Sequence, residues 1–96
     1  MNLDELRKNY RDDILAIAEK YGADNVRVFG SIVHHNLRED SDIDLLVHFK
    51  PGTSLLDEAG LDIALNQLLN RKVDLIGEDV VRDEFRPYIF NSAIPL

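Results

Sequence analysis

Three aspartates stand where hydrocarbon side chains are expected. Asp42 and Asp44 fall inside "SDIDLLVHF", and Asp74 falls inside "KVDLI". An ionised carboxylate in an apolar segment is costly unless a cation or another charge partner faces it. Residues two apart on a strand point to the same face, with Cα atoms about 6.7 Å apart. Asp42 and Asp44 can therefore converge on one hard cation or on a pair of them. Without a cation their charges repel, and one carboxyl is pushed toward protonation. Oxygen-only ligation suits Mg²⁺, which keeps several waters and is usually completed by substrate phosphates. If the strand carrying Asp74 lies beside the strand carrying the other two, three carboxylates can form a two-metal site. Such ions sit roughly 3.5–4 Å apart and grip the attacking and leaving oxygens of a displacement.

Gly30-Ser31 precedes the acids in "NVRVFGS". A glycine at a strand end lets backbone approach a ligand closely. A serine opening a helical turn offers a hydroxyl and free N–H groups to a phosphate. Metal ligands and a phosphate cradle together point to a nucleoside triphosphate. Taken singly each feature is weak: an isolated Asp-x-Asp is commonly a solvated strand edge, and Asp74 alone could be a turn residue or an ion-pair partner.

The elements that must position these groups follow from periodicity. Asn2 and Glu5 resemble an N-cap with its capping box, and Leu3, Leu6, Tyr10, Ile14, Ile17 and Tyr21 recur along one helix face up to a stop at Gly22. This spacing makes Tyr10 and Tyr21 core residues. Val26 to Gly30 reads as a short strand, and Ser31 to about Asn36 as a helical turn. "DIDLLVHF" is the second strand, with Ile43, Leu45 and Val47 on one face and Asp42, Asp44 and Leu46 on the other. After Pro51-Gly52, Thr53 or Ser54 caps a helix to about Asn70, with Leu56, Ile63, Leu65, Leu68 and Leu69 as its apolar stripe. Gly60 within it marks a close contact. "KVDLIG" is a third strand, and Glu84 to Ser92 a last helix with Pro87 in its first turn. The order predicts an α/β (α+β) fold, a small mixed sheet with helices packed on one face.

Ninety-six residues predict one domain spanning 1–96. There are no cysteines, which excludes a disulfide framework and thiolate metal sites and suits a reducing cytoplasm. "MNLDELRKNY" lacks the apolar core of a signal peptide, and no apolar run is long enough for a membrane span. The expected setting is cytoplasmic. A net charge of −7, from 18 acidic and 11 basic residues, argues against direct nucleic-acid binding; it fits a basic protein partner more easily, but surface acidity for solubility alone is the preferred reading.

Gly30-Ser31, ten residues, then Asp42-Ile43-Asp44 matches the G-S-x10-D-x-D pattern of the DNA polymerase β-like nucleotidyltransferase superfamily. The chain resembles its smallest branch, the minimal nucleotidyltransferases (MNT), over essentially its full length, through "VRVFGS", "SDIDLLV", "VDLI" and the closing "AIPL". The resemblance implies that Asp42 and Asp44 bind two Mg²⁺ ions and that Asp74 completes the catalytic-metal site and helps deprotonate the attacking hydroxyl. It implies that Gly30 and Ser31 hold the β- and γ-phosphates of ATP. Many MNT proteins are antitoxins paired with a HEPN-domain toxin, usually an RNase, and can attach AMP to a tyrosine of that toxin with release of pyrophosphate. A chain this small has no separate acceptor-binding domain, which fits an acceptor brought by a partner.

The chain departs from the family after the serine. Many relatives read G-S-R-A-R-G, whereas here Ile32-Val33-His34-His35 follow Gly30-Ser31. Triphosphate binding is then weaker or is supplied by Arg38. The histidines read as a solvated loop before they read as phosphate or metal contacts, and Arg71-Lys72 read as surface residues. Two alternatives remain at this stage. One is an MNT antitoxin with weak or lost catalysis that neutralises its HEPN toxin by direct complex formation. The other, less favoured, is a nucleotidyltransferase acting on a small molecule.

Overall fold

The structure, a computed structural model, describes residues 1–34 and 41–96. Its elements are α1 (Leu3–Lys20), β1 (Ala23–Phe29), a 3-10 turn (Gly30–Ile32), β2 (Ile43–Phe49), α2 (Leu55–Leu69) and β3 (Val73–Gly77). A second 3-10 turn (Glu78–Val80), α3 (Arg86–Ser92) and β4 (Ile94–Pro95) complete the order. The strands form one mixed sheet in the order β3-β2-β1-β4. β2 and β3 are parallel and joined through α2, while β1 runs antiparallel to both β2 and β4. The α+β class expected from the element order holds. Among the described residues no helix is long and apolar enough to cross a membrane.

The starts of α1 and α2 are fixed by side chains that satisfy free N–H groups of the first turn. Asn2 Oδ1 accepts the Glu5 N–H at 2.8 Å. Ser54 forms a capping box with Asp57, accepting its N–H at 3.1 Å while the Asp57 carboxylate accepts the Ser54 N–H. Thr53, the other candidate cap, donates instead to the Lys50 carbonyl at 2.7 Å.

One face of the sheet is hydrocarbon. Val28, Ile43, Leu45, Val47 and Val73 pack there against Leu6, Ile14 and Ala18 of α1 and Leu61, Leu65 and Leu69 of α2. Tyr10 and Tyr21 pack against this core as their spacing predicts. A Cβ on Gly60 would lie 2.5 Å from the Tyr21 ring, so the glycine does mark a close contact. The stripe expected on α2 needs correcting. Leu56 and Ile63 are exposed, and Leu61 takes the core position. The helix carries aliphatics on opposite sides, so apolar spacing alone does not say which side meets the sheet.

β1 begins earlier than its alternation suggests. Ala23 and Val26 are both buried, with Asp24 and Asn25 exposed between them. A bulge reconciles the count: Asp24 pairs with His48 but Arg27 with Leu46, leaving two residues of β1 opposite Val47. Asn25 takes φ +49° to make the extra step. β4, which was not expected as a strand, consists of Ile94 and Pro95 paired to Val28 and Arg27. The expected one-sided helix packing describes α1 and α2, while α3 sets Phe90 over Arg27 on the opposite face.

Candidate active site

Strand parity builds the site. Because Ile43, Leu45 and Val47 face the core, Asp42 and Asp44 face the other way. β3 pairs in register with β2, and Asp44 stands opposite Asp74. The condition set by the sequence, that the Asp74 strand neighbour the Asp42–Asp44 strand, is met. On the other side of β2, Phe29 pairs with Asp44. That face carries a row Phe29–Asp44–Asp74, with Asp42 two residues before Asp44, and a second row Arg27–Leu46–Ile76 in which Leu46 is fully buried.

The strand ends that carry the acids are stitched together. The Ile43 N–H donates to the Lys72 carbonyl at 3.0 Å. Arg71 Nη1 donates to the Ser41 carbonyl at 3.0 Å, and Asn66 Oδ1 accepts the Val73 N–H at 3.0 Å. Arg71 thus has a structural contact. Lys72 is exposed, but its Nζ lies 3.7 Å from Asp42 Oδ2, a placement that its position two residues before Asp74 would have signalled. An exposed pair at this distance contributes little stability.

Asp44 is the half-buried member, and its carboxyl is raised from 3.8 to about 6. Removal from water is the largest cause, followed by the charges of Asp74 and Asp42 and a hydrogen bond with Asp74. Asp74 itself is exposed at the sheet edge. The donors are all oxygen, and their excess negative charge is what a hard divalent cation would neutralise, so the residues fit Mg²⁺. Among the described residues no three His, Asp or Glu side chains already close into a ligand set.

Gly30 is held against the same carboxylate. It takes φ +75°, and a Cβ built on it would collide with Asp44 Oδ2. Both the conformation and the space require glycine. Ser31 follows, exposed, in the 3-10 turn, whose carbonyls at Gly30 and Ser31 accept the Val33 and His34 N–H groups at 3.1 Å. His34 is exposed, in keeping with the solvated-loop reading. His35 and Arg38 lie outside the described residues. Sequence reasoning missed Phe29 as the neighbour of Asp44. Its alternation with Val28 and the antiparallel pairing of β1 with β2 are the signals that place it there.

The profile of the nucleotidyltransferase domain family matches residues 12–94. The chain belongs to this family. It is a nucleotidyltransferase. A candidate protein adenylyltransferase of Methanocaldococcus jannaschii is 33% identical over 98% of this chain and 97% of its own. The protein adenylyltransferase MntA of Thermococcus cleftensis is 36% identical over 81% of this chain and 79% of its own. A solved structure of a candidate minimal nucleotidyltransferase superimposes with TM-score 0.88 and 44% identity, covering 100% of this chain and 97% of that one. The fold also recurs, at TM-score 0.69 and 15% identity, in a tri-AMPylated HEPN toxin–MNT antitoxin complex of Shewanella oneidensis. That match covers 93% of this chain and 70% of the other.

Proposed function

We propose that residues 1–96 act as a minimal nucleotidyltransferase antitoxin that transfers AMP from ATP to a tyrosine hydroxyl of a cognate HEPN RNase toxin in the cytoplasm. The reading is carried by one observation: Asp44 and Asp74 stand in register on the face of the sheet away from α1 and α2, with Asp42 beside them and the Gly30 backbone against Asp44. The adenylyltransferase relatives and the recurrence of this fold in a toxin–antitoxin complex support the choice of reaction and partner.

Asp42, Asp44 and Asp74 would hold two Mg²⁺ ions, which when bound supply neutralisation of phosphate charge and polarisation of the phosphoryl oxygens. Gly30 and Ser31 bind the β- and γ-phosphates, the glycine by allowing close backbone approach and the serine through its hydroxyl and N–H. Asp74, the exposed acid at the sheet edge, receives the proton of the attacking tyrosine hydroxyl. The tyrosine oxygen then bonds to the α-phosphorus, the bond from that phosphorus to the bridging oxygen breaks, and pyrophosphate leaves. Fixing nucleophile and phosphate in line supplies much of the rate.

The test is incubation of the native chain with the HEPN protein encoded beside it, Mg²⁺ and α-labelled ATP. Label is expected on a toxin tyrosine, with loss of RNase activity. A toxin neutralised with no label transferred would replace this reading with neutralisation by complex formation.

A further inference from the structure

The order of the strands assigns sides to the reaction. β3 is an edge of the sheet, β2 lies next to it, and β1 lies beyond β2. The Gly30 backbone stands against Asp44 from the β1 side, and Asp74 stands beside Asp44 on β3. In a phosphoryl transfer the attacking and leaving oxygens lie roughly in line, on opposite sides of the phosphorus. With the leaving phosphates at Gly30 and Ser31, the acceptor hydroxyl comes in over β3.

Lys72 stands on that side. It immediately precedes β3, and its carbonyl accepts the Ile43 N–H. This carries the parallel pairing one residue back, so Lys72 lies beside Asp42 as Asp74 lies beside Asp44. The lysine side chain is 77% exposed, and its Nζ is 3.7 Å from Asp42 Oδ2. A charge-assisted hydrogen bond is shorter, roughly 2.7–2.9 Å, so the pair is a loose one. Asp42 is also a proposed metal ligand. Once Asp42 is engaged by a divalent cation, the lysine loses that partner and is repelled by the ion. Its ammonium, on a long flexible stem, is then left beside the path of the acceptor.

We infer that Lys72 positions the acceptor by pairing with a carboxylate that flanks the attacking tyrosine. The chain thereby selects tyrosines that have Asp or Glu next to them. The inference rests on the proposed function, which supplies the toxin tyrosine as acceptor and places the leaving phosphates at Gly30 and Ser31. Proton transfer stays with Asp74. A hold on the β- and γ-phosphates fits the geometry poorly, because β2 with its two carboxylates lies between Lys72 and Gly30-Ser31.

The test compares the native chain with Lys72→Met, Lys72→Arg and Lys72→Glu, using the HEPN protein encoded beside it, Mg²⁺ and α-labelled ATP. Melting temperature and affinity for a fluorescent ATP analogue are measured on each. Lys72→Met should raise KM for the toxin about fivefold, with a smaller change in kcat. Its melting temperature and its affinity for the analogue should hold. Lys72→Glu should raise KM about tenfold or more, and Lys72→Arg should stay close to the native chain. Replacing the carboxylates that flank the labelled tyrosine by lysine should slow the native chain and restore transfer by Lys72→Glu. Equal KM for all four chains, or a labelled tyrosine with no carboxylate beside it, would overturn the inference and leave the proposed function standing. Weaker analogue binding by Lys72→Met at an unchanged KM for the toxin would assign the lysine to the nucleotide and overturn it as well. So would a fall in melting temperature shared by all three variants, which would make the residue structural. No label on the toxin from the native chain would overturn both readings.

Discussion

The two faces of β2 carry side chains of different kinds. Ile43, Leu45 and Val47 are closed into the core by α1 and α2, whereas Asp42 and Asp44 share the opposite face with Asp74 and Phe29. From Asp42 to Leu45, successive residues thus alternate between carrying the candidate chemistry and holding the fold together, separated only by parity. The two functions should be separable by substitution, since neighbours in sequence report on different properties.

The largest separation is expected at adjacent residues. Asp44→Asn should lower AMP transfer by on the order of 10³-fold, since it removes charge that would hold the metal and substrate. Its melting temperature without metal at neutral pH should not fall, and should rise if anything, because a carboxylate crowded by Asp74 and Asp42 has been neutralised. Leu45→Ala should do the reverse. A cavity at this fully buried position costs about 2–5 kcal/mol, visible in urea titration, while the specific activity of the protein that remains folded is kept.

A substitution that touches both sides sharpens the contrast. Gly30→Ala places a Cβ against the Asp44 carboxylate and forces alanine to a φ of +75°. The backbone conformation alone costs about 1–2 kcal/mol. Activity should fall by more than this stability loss explains, which thermal melts and label transfer on one preparation would show.

The smallest expected effect is on pH dependence. Asp44 titrates at about 6 in the folded chain, above its ordinary 3.8, so the folded state holds its proton more tightly than the unfolded state does. The associated stability is complete below pH 3.8 and is lost as pH rises through about 6. Solvent screening of this half-buried group keeps the loss near ~1 kcal/mol. Melts in EDTA between pH 4.5 and 7.5 should show the decline, Asp44→Asn should flatten it, and Mg²⁺ should restore stability at the upper end.

How much of this was legible in the sequence depended on whether a pattern was local. The parity of "DIDLLV" is local, and it placed both acids on the face away from the core. That Asp74 joins them depended on a parallel pairing made across α2, which the sequence could pose only as a condition. The start of β1 was hidden because the bulge at Asn25 puts two exposed residues in succession. β4 was hidden because two residues, one of them proline, have no period, and β1 supplies the pairing. α2 misled for a different reason. Leu56 and Ile63 satisfy a helical stripe as well as Leu61 and Leu65 do, and only the packed sheet separates them. Lys72 read as a surface residue and is exposed, yet it is also the cation beside Asp42.

The bulge in β1 has a consequence for length changes. Without Asn25 the segment would read Ala23, Asp24, Val26, Arg27, Val28, an unbroken in–out frame with every core residue still inward. Asn25 is therefore the supernumerary residue of the strand, and the core would survive its deletion. The loss would fall on the other face. The Asn25 carbonyl accepts Arg27 Nε at 3.0 Å, and the same guanidinium pairs with Glu78 and lies 5.5 Å from the Phe90 ring centre. Trimming one residue from a strand that begins far from the aspartates would loosen α3 on the face that carries them while sparing the core behind it.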